Sequence, residues 1–98
     1  MQAEYIGPFM ANAGGYYAGH KYTLNVKGFK GTIDLLNYNG YNTDNVYYDG
    51  KLVDGVTADY SVEKNYHCYI PIDGTGEILS WSCGVYVEWP KAITFIPE

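Results

Sequence analysis

A chain of 98 residues has room for one domain with a single modest hydrophobic core. Its 47% hydrophobic content excludes disorder. A net charge of −5, with six lysines and no arginine, argues against a nucleic-acid reader, which needs a basic footprint and bidentate guanidinium contacts. No apolar run approaches the ~18 residues of a membrane span. Met1–Pro8 lacks the basic and apolar regions of a secretory leader, so the expected compartment is the cytoplasm, with secretion as the alternative.

Residues 1–20 read as an irregular N-terminal arm, with a short strand over Glu4–Ile6 and turn-forming residues around Asn12–Gly19. From Lys21 an alternation begins, with Tyr22, Leu24 and Val26 on one face and Thr23, Asn25 and Lys27 on the other. Treating Gly28-Phe29-Lys30-Gly31 as a four-residue loop gives a hairpin with Val26 opposite Ile33 and Leu24 opposite Leu35. The segment 37–45 reads as an exposed loop carrying Tyr38 and Tyr41, because a tight Asn39-Gly40 hairpin would set Leu35 against Asp44.

Asp49-Gly50 is a type I′ signal that places Val46 opposite Val53 and Tyr47 opposite Leu52. Asp54-Gly55 then turns the chain into a strand over Val56–Val62. The longest pattern spans Asn65–Tyr86. With Gly74-Thr75-Gly76-Glu77 as a loop, it gives a second hairpin whose facing pairs are Ile72–Leu79, Ile70–Trp81, Cys68–Cys83 and Tyr66–Val85. Pro71 cannot donate to a ladder and belongs beside an edge or a bulge. Trp89-Pro90 ends the strand, and Ala92–Ile96 forms a last one. Short strands and turn signals recur at intervals of about ten residues, with no helical period of useful length. The expected fold is a single all-β domain over 1–98: an antiparallel β-sandwich, Ig-like or jelly-roll-like, or a small partly open barrel, with seven or eight short strands and no substantial helix.

Few residues suggest chemistry. Cys68 and Cys83, opposed in the second hairpin, have a geometry suited to a disulfide that closes 14 intervening residues, worth about 3 kcal/mol in the chain-entropy model. The compartment argument favours two reduced thiols instead. Zinc is not expected: His67 and Cys68 are strand neighbours pointing to opposite faces, and a Cys–His nucleophile pair fails for the same reason. Asp73-Gly74-Thr75-Gly76 is explained as a turn. Asn37, Asn39, Asn42, Asp44, Asn45 and Asp49 offer oxygen ligands for calcium without the spacing of an EF-hand loop. No nucleophile elbow, P-loop or dinucleotide fingerprint occurs, so neither an enzyme nor a cofactor is expected.

The most unusual feature is the tyrosine content: twelve tyrosines accompany twelve glycines and seven asparagines, the residue mixture of contact surfaces. Tyr22 and Tyr66 share apolar faces with core residues. Tyr16, Tyr17, Tyr38 and Tyr41 lie in Gly/Asn-rich segments, and Tyr48 and Tyr69 fall on outer faces of the predicted strands. Tyr16, Tyr17, Tyr38, Tyr41 and Tyr48 are the candidate partner-binding residues. The resulting expectation is a non-enzymatic protein-binding module with an acidic surface, such as a small phage or mobile-element product that inhibits a host protein or joins a virion. The alternative is a carbohydrate-binding β-sandwich using Tyr16, Tyr17, Tyr38, Tyr41 and Trp89 as a stacking platform. Neither nucleic acid nor a membrane is an expected partner.

Overall fold

A computed structural model describes residues 4–10, 20–38, 43–60, 65–83 and 90–98. Nine strands follow in chain order: β1 (Glu4–Met10), β2 (His20–Asn25), β3 (Gly31–Tyr38), β4 (Thr43–Tyr48), β5 (Lys51–Leu52), β6 (Thr57–Asp59), β7 (Asn65–Ile72), β8 (Ile78–Cys83) and β9 (Ala92–Pro97). They form two antiparallel sheets of order β1-β2-β8-β4-β5 and β6-β7-β3-β9. β5 is a two-residue ledge on β4, so eight strands of three residues or more build the sandwich. No helix occurs among the described residues.

The alternations in the sequence do point the expected side chains inward. Tyr22, Leu24 and Val26 are buried from one sheet, with Leu79 and Trp81 beside them. Ile33 and Leu35, with Tyr66, Cys68, Ile70 and Ile72, are buried from the other, and all belong to one hydrophobic cluster. Trp81 and Tyr22 are partners in the β2–β8 ladder, with rings stacked at 5.8 Å between centroids.

The two expected hairpins do not form. β2 and β3 lie in different sheets, as do β7 and β8. β2 pairs instead with β1 and β8, while β7 pairs with β3 and β6. The segments 26–30 and 73–77 are therefore arches that carry the chain from one sheet to the other. The physical reason is visible at Phe29. A hairpin loop would expose its ring, whereas the arch buries it to 2% exposure and sets it edge-on to Phe95 at 5.0 Å. Gly28, at φ 80°, supplies the turn that allows this, and the Phe29 amide donates to the Val26 carbonyl at 3.1 Å. The two arches are also joined directly, Val26 N–H donating to the Glu77 carbonyl at 2.7 Å.

Five of the eight connections cross between the sheets, so the chain alternates repeatedly between the two layers of the sandwich. Asp54-Gly55 lies on one of them, turning the chain from β5 into β6, which is shorter than the expected Val56–Val62 strand. The expected Asp49-Gly50 hairpin is present: both residues have positive φ, Tyr47 pairs with Leu52, and Val53 N–H donates to the Val46 carbonyl at 2.9 Å. The N-terminal arm is more regular than expected. β1 runs through Met10 and pairs with β2, and its Pro8 is tolerated because β1 is a sheet edge. Pro71 sits where β6, paired with β7 only as far as Tyr69, has already ended.

Two substitutions test this packing. Trp81→Ala should cost about 3–5 kcal/mol in urea unfolding, the range for deleting a fully buried aromatic side chain. Gly31→Ala should cost about 1–3 kcal/mol, because a Cβ there would meet the Ile96 carbonyl of β9 and the Glu98 amide just after it, backbone atoms that cannot swing away.

Candidate functional site

The strand registers divide the sandwich into two poles. One is the turn pole, formed by the arches 26–30 and 73–77 and the turns at 49–50 and 54–55. Tyr48 and Asp49 organise it. The Tyr48 hydroxyl donates to the Gly76 carbonyl and accepts from the Gly76 amide, each at 2.7 Å. The Asp49 carboxylate accepts from the Glu77 amide at 3.1 Å and the Ile78 amide at 2.7 Å. Asp73 closes its own turn by accepting from the Thr75 amide at 3.0 Å and hydroxyl at 2.7 Å, and those bonds hold its carboxyl below the usual range. The Asp73–Gly76 segment is thus turn chemistry, as expected from the sequence.

Beside these residues lies an open cleft of about 880 Å³, whose lining includes Lys30, Lys51, Asp54, Pro71 and Pro97. Its ion pair, Lys30–Glu98 at 3.1 Å, is solvent-exposed and contributes little. Among the described residues lining the cleft the one aromatic is Tyr48, which is 8% exposed and presents no ring face for stacking there.

At the opposite pole Thr43 links the two sheets. Its amide donates to the Tyr66 hydroxyl, and its own hydroxyl accepts from the Asn37 amide group at 3.2 Å. Asn37 is buried and also donates to the Leu35 carbonyl, so it is a structural clamp rather than a loop ligand. Asp49 belongs to the turn pole, away from Asn37, while Asn39 and Asn42 lie outside the described residues. No group of three metal-binding side chains occurs among the described residues. Tyr60 is 65% exposed near this pole and stacks on Tyr66 at 5.0 Å.

The five candidate tyrosines fare differently. Tyr16, Tyr17 and Tyr41 lie outside the described residues. Tyr38 is the last residue of β3, paired with Asn65. Tyr48 does not face outward. A bulge on β4, where Asn45 adopts φ 46°, shifts the register against β8 by one residue. That shift sets Tyr48 opposite the buried Leu79 rather than the outward Ile78, and so turns its ring into the core.

The expected facing of Cys68 and Cys83 in one hairpin, on which a disulfide would depend, is corrected. Cys68 lies beside Leu35 and Ala58, and Cys83 beside His20 and Thr43, in separate sheets. Cys68 is a free, buried thiol, and burial pushes its pKa from 9.0 to about 11.

One pair was not anticipated. On the outer face of the β6–β9 sheet, both carboxylate oxygens of Asp34 lie within 2.9 Å of His67 Nδ1, and the His67 ring stacks flat on Tyr69 at 5.7 Å. Only the β3–β7 pairing brings these residues together, and a local hairpin reading has no access to it. Asp34 is the only hydrogen-bond partner of His67 among the described residues. Comparison with protein-family models, with curated proteins and with solved structures finds no match.

The Cys68 environment yields a measurable outcome. In a Cys83→Ser background, a thiol reagent at neutral pH should label Cys68 only on unfolding; rapid labelling of the folded protein would show the thiol to be accessible. Because the folded state favours the neutral thiol, its stabilisation is complete below pH 9 and is lost as pH rises towards about 11. The melting temperature over that window should fall more steeply for the native chain than for Cys68→Ala.

Proposed function

We propose that the chain is a non-enzymatic protein-binding module whose contact surface is the pole opposite the cleft. The observation that carries this reading is topological. Met10 pairs with His20, His20 and Thr43 both pair with Cys83, and Tyr38 pairs with Asn65. Thr43 is bonded to Asn37 and Tyr66 of the other sheet, so these strand ends share one pole. The connections 11–19, 39–42, 61–64 and 84–89 all depart from it. In sequence those connections contain Tyr16, Tyr17, Tyr41, Tyr86 and Trp89, with Tyr38 and Tyr60 flanking them.

Rigid strands that present several aromatic connections at one end form the usual arrangement for a contact surface on a β-sandwich. The net charge of −5 would steer the module towards a basic partner surface. A phage or mobile-element product acting on a host protein, or joining a virion, suits that description. The His67–Asp34 pair, with no nucleophile bonded to it among the described residues, gives no support to an enzymatic role. The carbohydrate alternative draws no support from the cleft, which has no exposed ring among its described lining residues.

The test is capture of a partner by the intact protein beside a Tyr38→Ala/Tyr41→Ala variant, with Leu52→Ala as a control at the turn pole. The tyrosine variant should weaken binding at least tenfold, ~1.4 kcal/mol, while retaining the native melting temperature. Leu52→Ala, at a residue 62% exposed, should bind as the native chain does. Unchanged binding by the tyrosine variant would move the surface elsewhere.

A further inference from the structure

The four sheet edges are not equivalent. Edges of soluble β-proteins are normally blunted by shortness, proline or bulges, because open backbone groups invite another strand. β1 carries Pro8 and a bulge between Tyr5 and Gly7, β5 has two residues and β6 has three. β9, with sequence Ala-Ile-Thr-Phe-Ile-Pro, is six residues long, uncharged and free of bulges against β3.

The β3–β9 register fixes which backbone groups β9 leaves open among the described residues. Glu98 N–H donates to the Lys30 carbonyl while Gly31 and Pro97 are directly opposite, which makes Gly31–Pro97 a non-hydrogen-bonded pair. Alternation then turns the backbone groups of Ala92, Thr94 and Ile96 towards β3. Those of Ile93 and Phe95 point away from the sheet, and Pro97 ends the open row because it has no N–H. Along the strand Thr94 and Ile96 are exposed, and Ile93 and Phe95 are only partly covered.

We propose that β9 pairs with β9 of a second copy of this chain, antiparallel about a two-fold axis through Thr94, joining two four-stranded sheets into one of eight strands. One register uses every open amide. Ile93 lies opposite the second copy's Phe95, each exchanging N–H and C=O with the other, and the symmetric pair repeats this, which gives four hydrogen bonds. The same register keeps Ile93 and Phe95 on the core-facing side in both copies and sets each exposed Ile96 beside the other copy's Ala92. Moving either strand by two residues would bring Pro97, with no amide, or Lys91, whose amide already serves the Leu36 carbonyl, into a bonding position. The interface is isologous and closes at two copies.

Thr94 is the test position, because it is exposed and meets its own counterpart in a close, non-hydrogen-bonded pair. Thr94→Cys should form an intermolecular disulfide on mild oxidation, whereas Thr57→Cys on β6 and the native chain should not. In sedimentation velocity up to sub-millimolar concentration, the native chain should shift from 11.0 kDa to twice that mass and no further. Thr94→Lys should remain monomeric, since it sets two ammonium groups face to face. Within one chain that lysine lies opposite Asp34, so the fold itself is not penalised. A native chain that stays monomeric throughout, crosslinking of Thr94→Cys no greater than that of Thr57→Cys, or assemblies larger than two would each overturn the proposal. The first of these is also the result expected if β9 instead receives a strand from a different protein.

Discussion

Burial of one apolar face against another, across the sandwich rather than along a ladder, is the constraint on which the rest of this molecule depends. Trp81, Tyr22 and Leu79 from one sheet meet Ile33, Leu35 and Ile70 from the other, all at 4% exposure or less, in a single cluster. A chain this short can build only one such core, so every strand must contribute an inward face to it. The arches at 26–30 and 73–77 follow from that requirement, and Phe29 shows why. An apolar residue at the tip of a hairpin would be lost to solvent, whereas in an arch it closes the end of the core. The Val26–Glu77 hydrogen bond then satisfies backbone groups that leave their ladders at the crossing.

The alternating crossings also distribute the molecule's surfaces. The turn pole is knitted by hydrogen bonds from Tyr48, Asp49 and Asp73 to nearby backbone amides, so its polar groups are largely committed to holding turns. At the opposite pole the described bonds around Thr43 join the two sheets, and the strands flanking the tyrosine-bearing connections end there. Polar side chains already engaged with their own backbone have less capacity to engage a partner. The open edge at β9 is a third surface, distinct from both poles, and its pairing capacity is set by backbone geometry alone.

Tyr48 and Asp49 show how closely structure and composition can mislead one another. Tyr48 counts towards a tyrosine excess that resembles a binding surface, yet its hydroxyl bridges the amide and carbonyl of Gly76 and its ring fills the core. Asp49 resembles a calcium ligand in sequence but spends both carboxylate oxygens on the arch before β8. Tyr22 and Tyr66 are core residues, as their alternation indicated. The excess of tyrosine is therefore partly a consequence of strands that need large, rigid side chains with a polar tip able to reach a buried backbone group.

The sequence by itself determined the all-β class, the inward residues of β2, β3, β7 and β8, the Asp49-Gly50 hairpin and the opposite orientations of His67 and Cys68. Each of these is local: side chains alternate with a period of two, and turn residues select their own backbone conformations. Apart from that hairpin, tertiary structure alone decided which strands are neighbours. An apolar face carries no label saying whether its complement lies beside it in a ladder or opposite it across a core, so Ile70 and Trp81 satisfy either reading equally well. That choice separated Cys68 from Cys83, brought His67 to Asp34, and left β9 as an edge. The bulge at Asn45 was equally beyond reach of the sequence pattern, because one inserted residue reverses every later side chain on its strand without altering the composition.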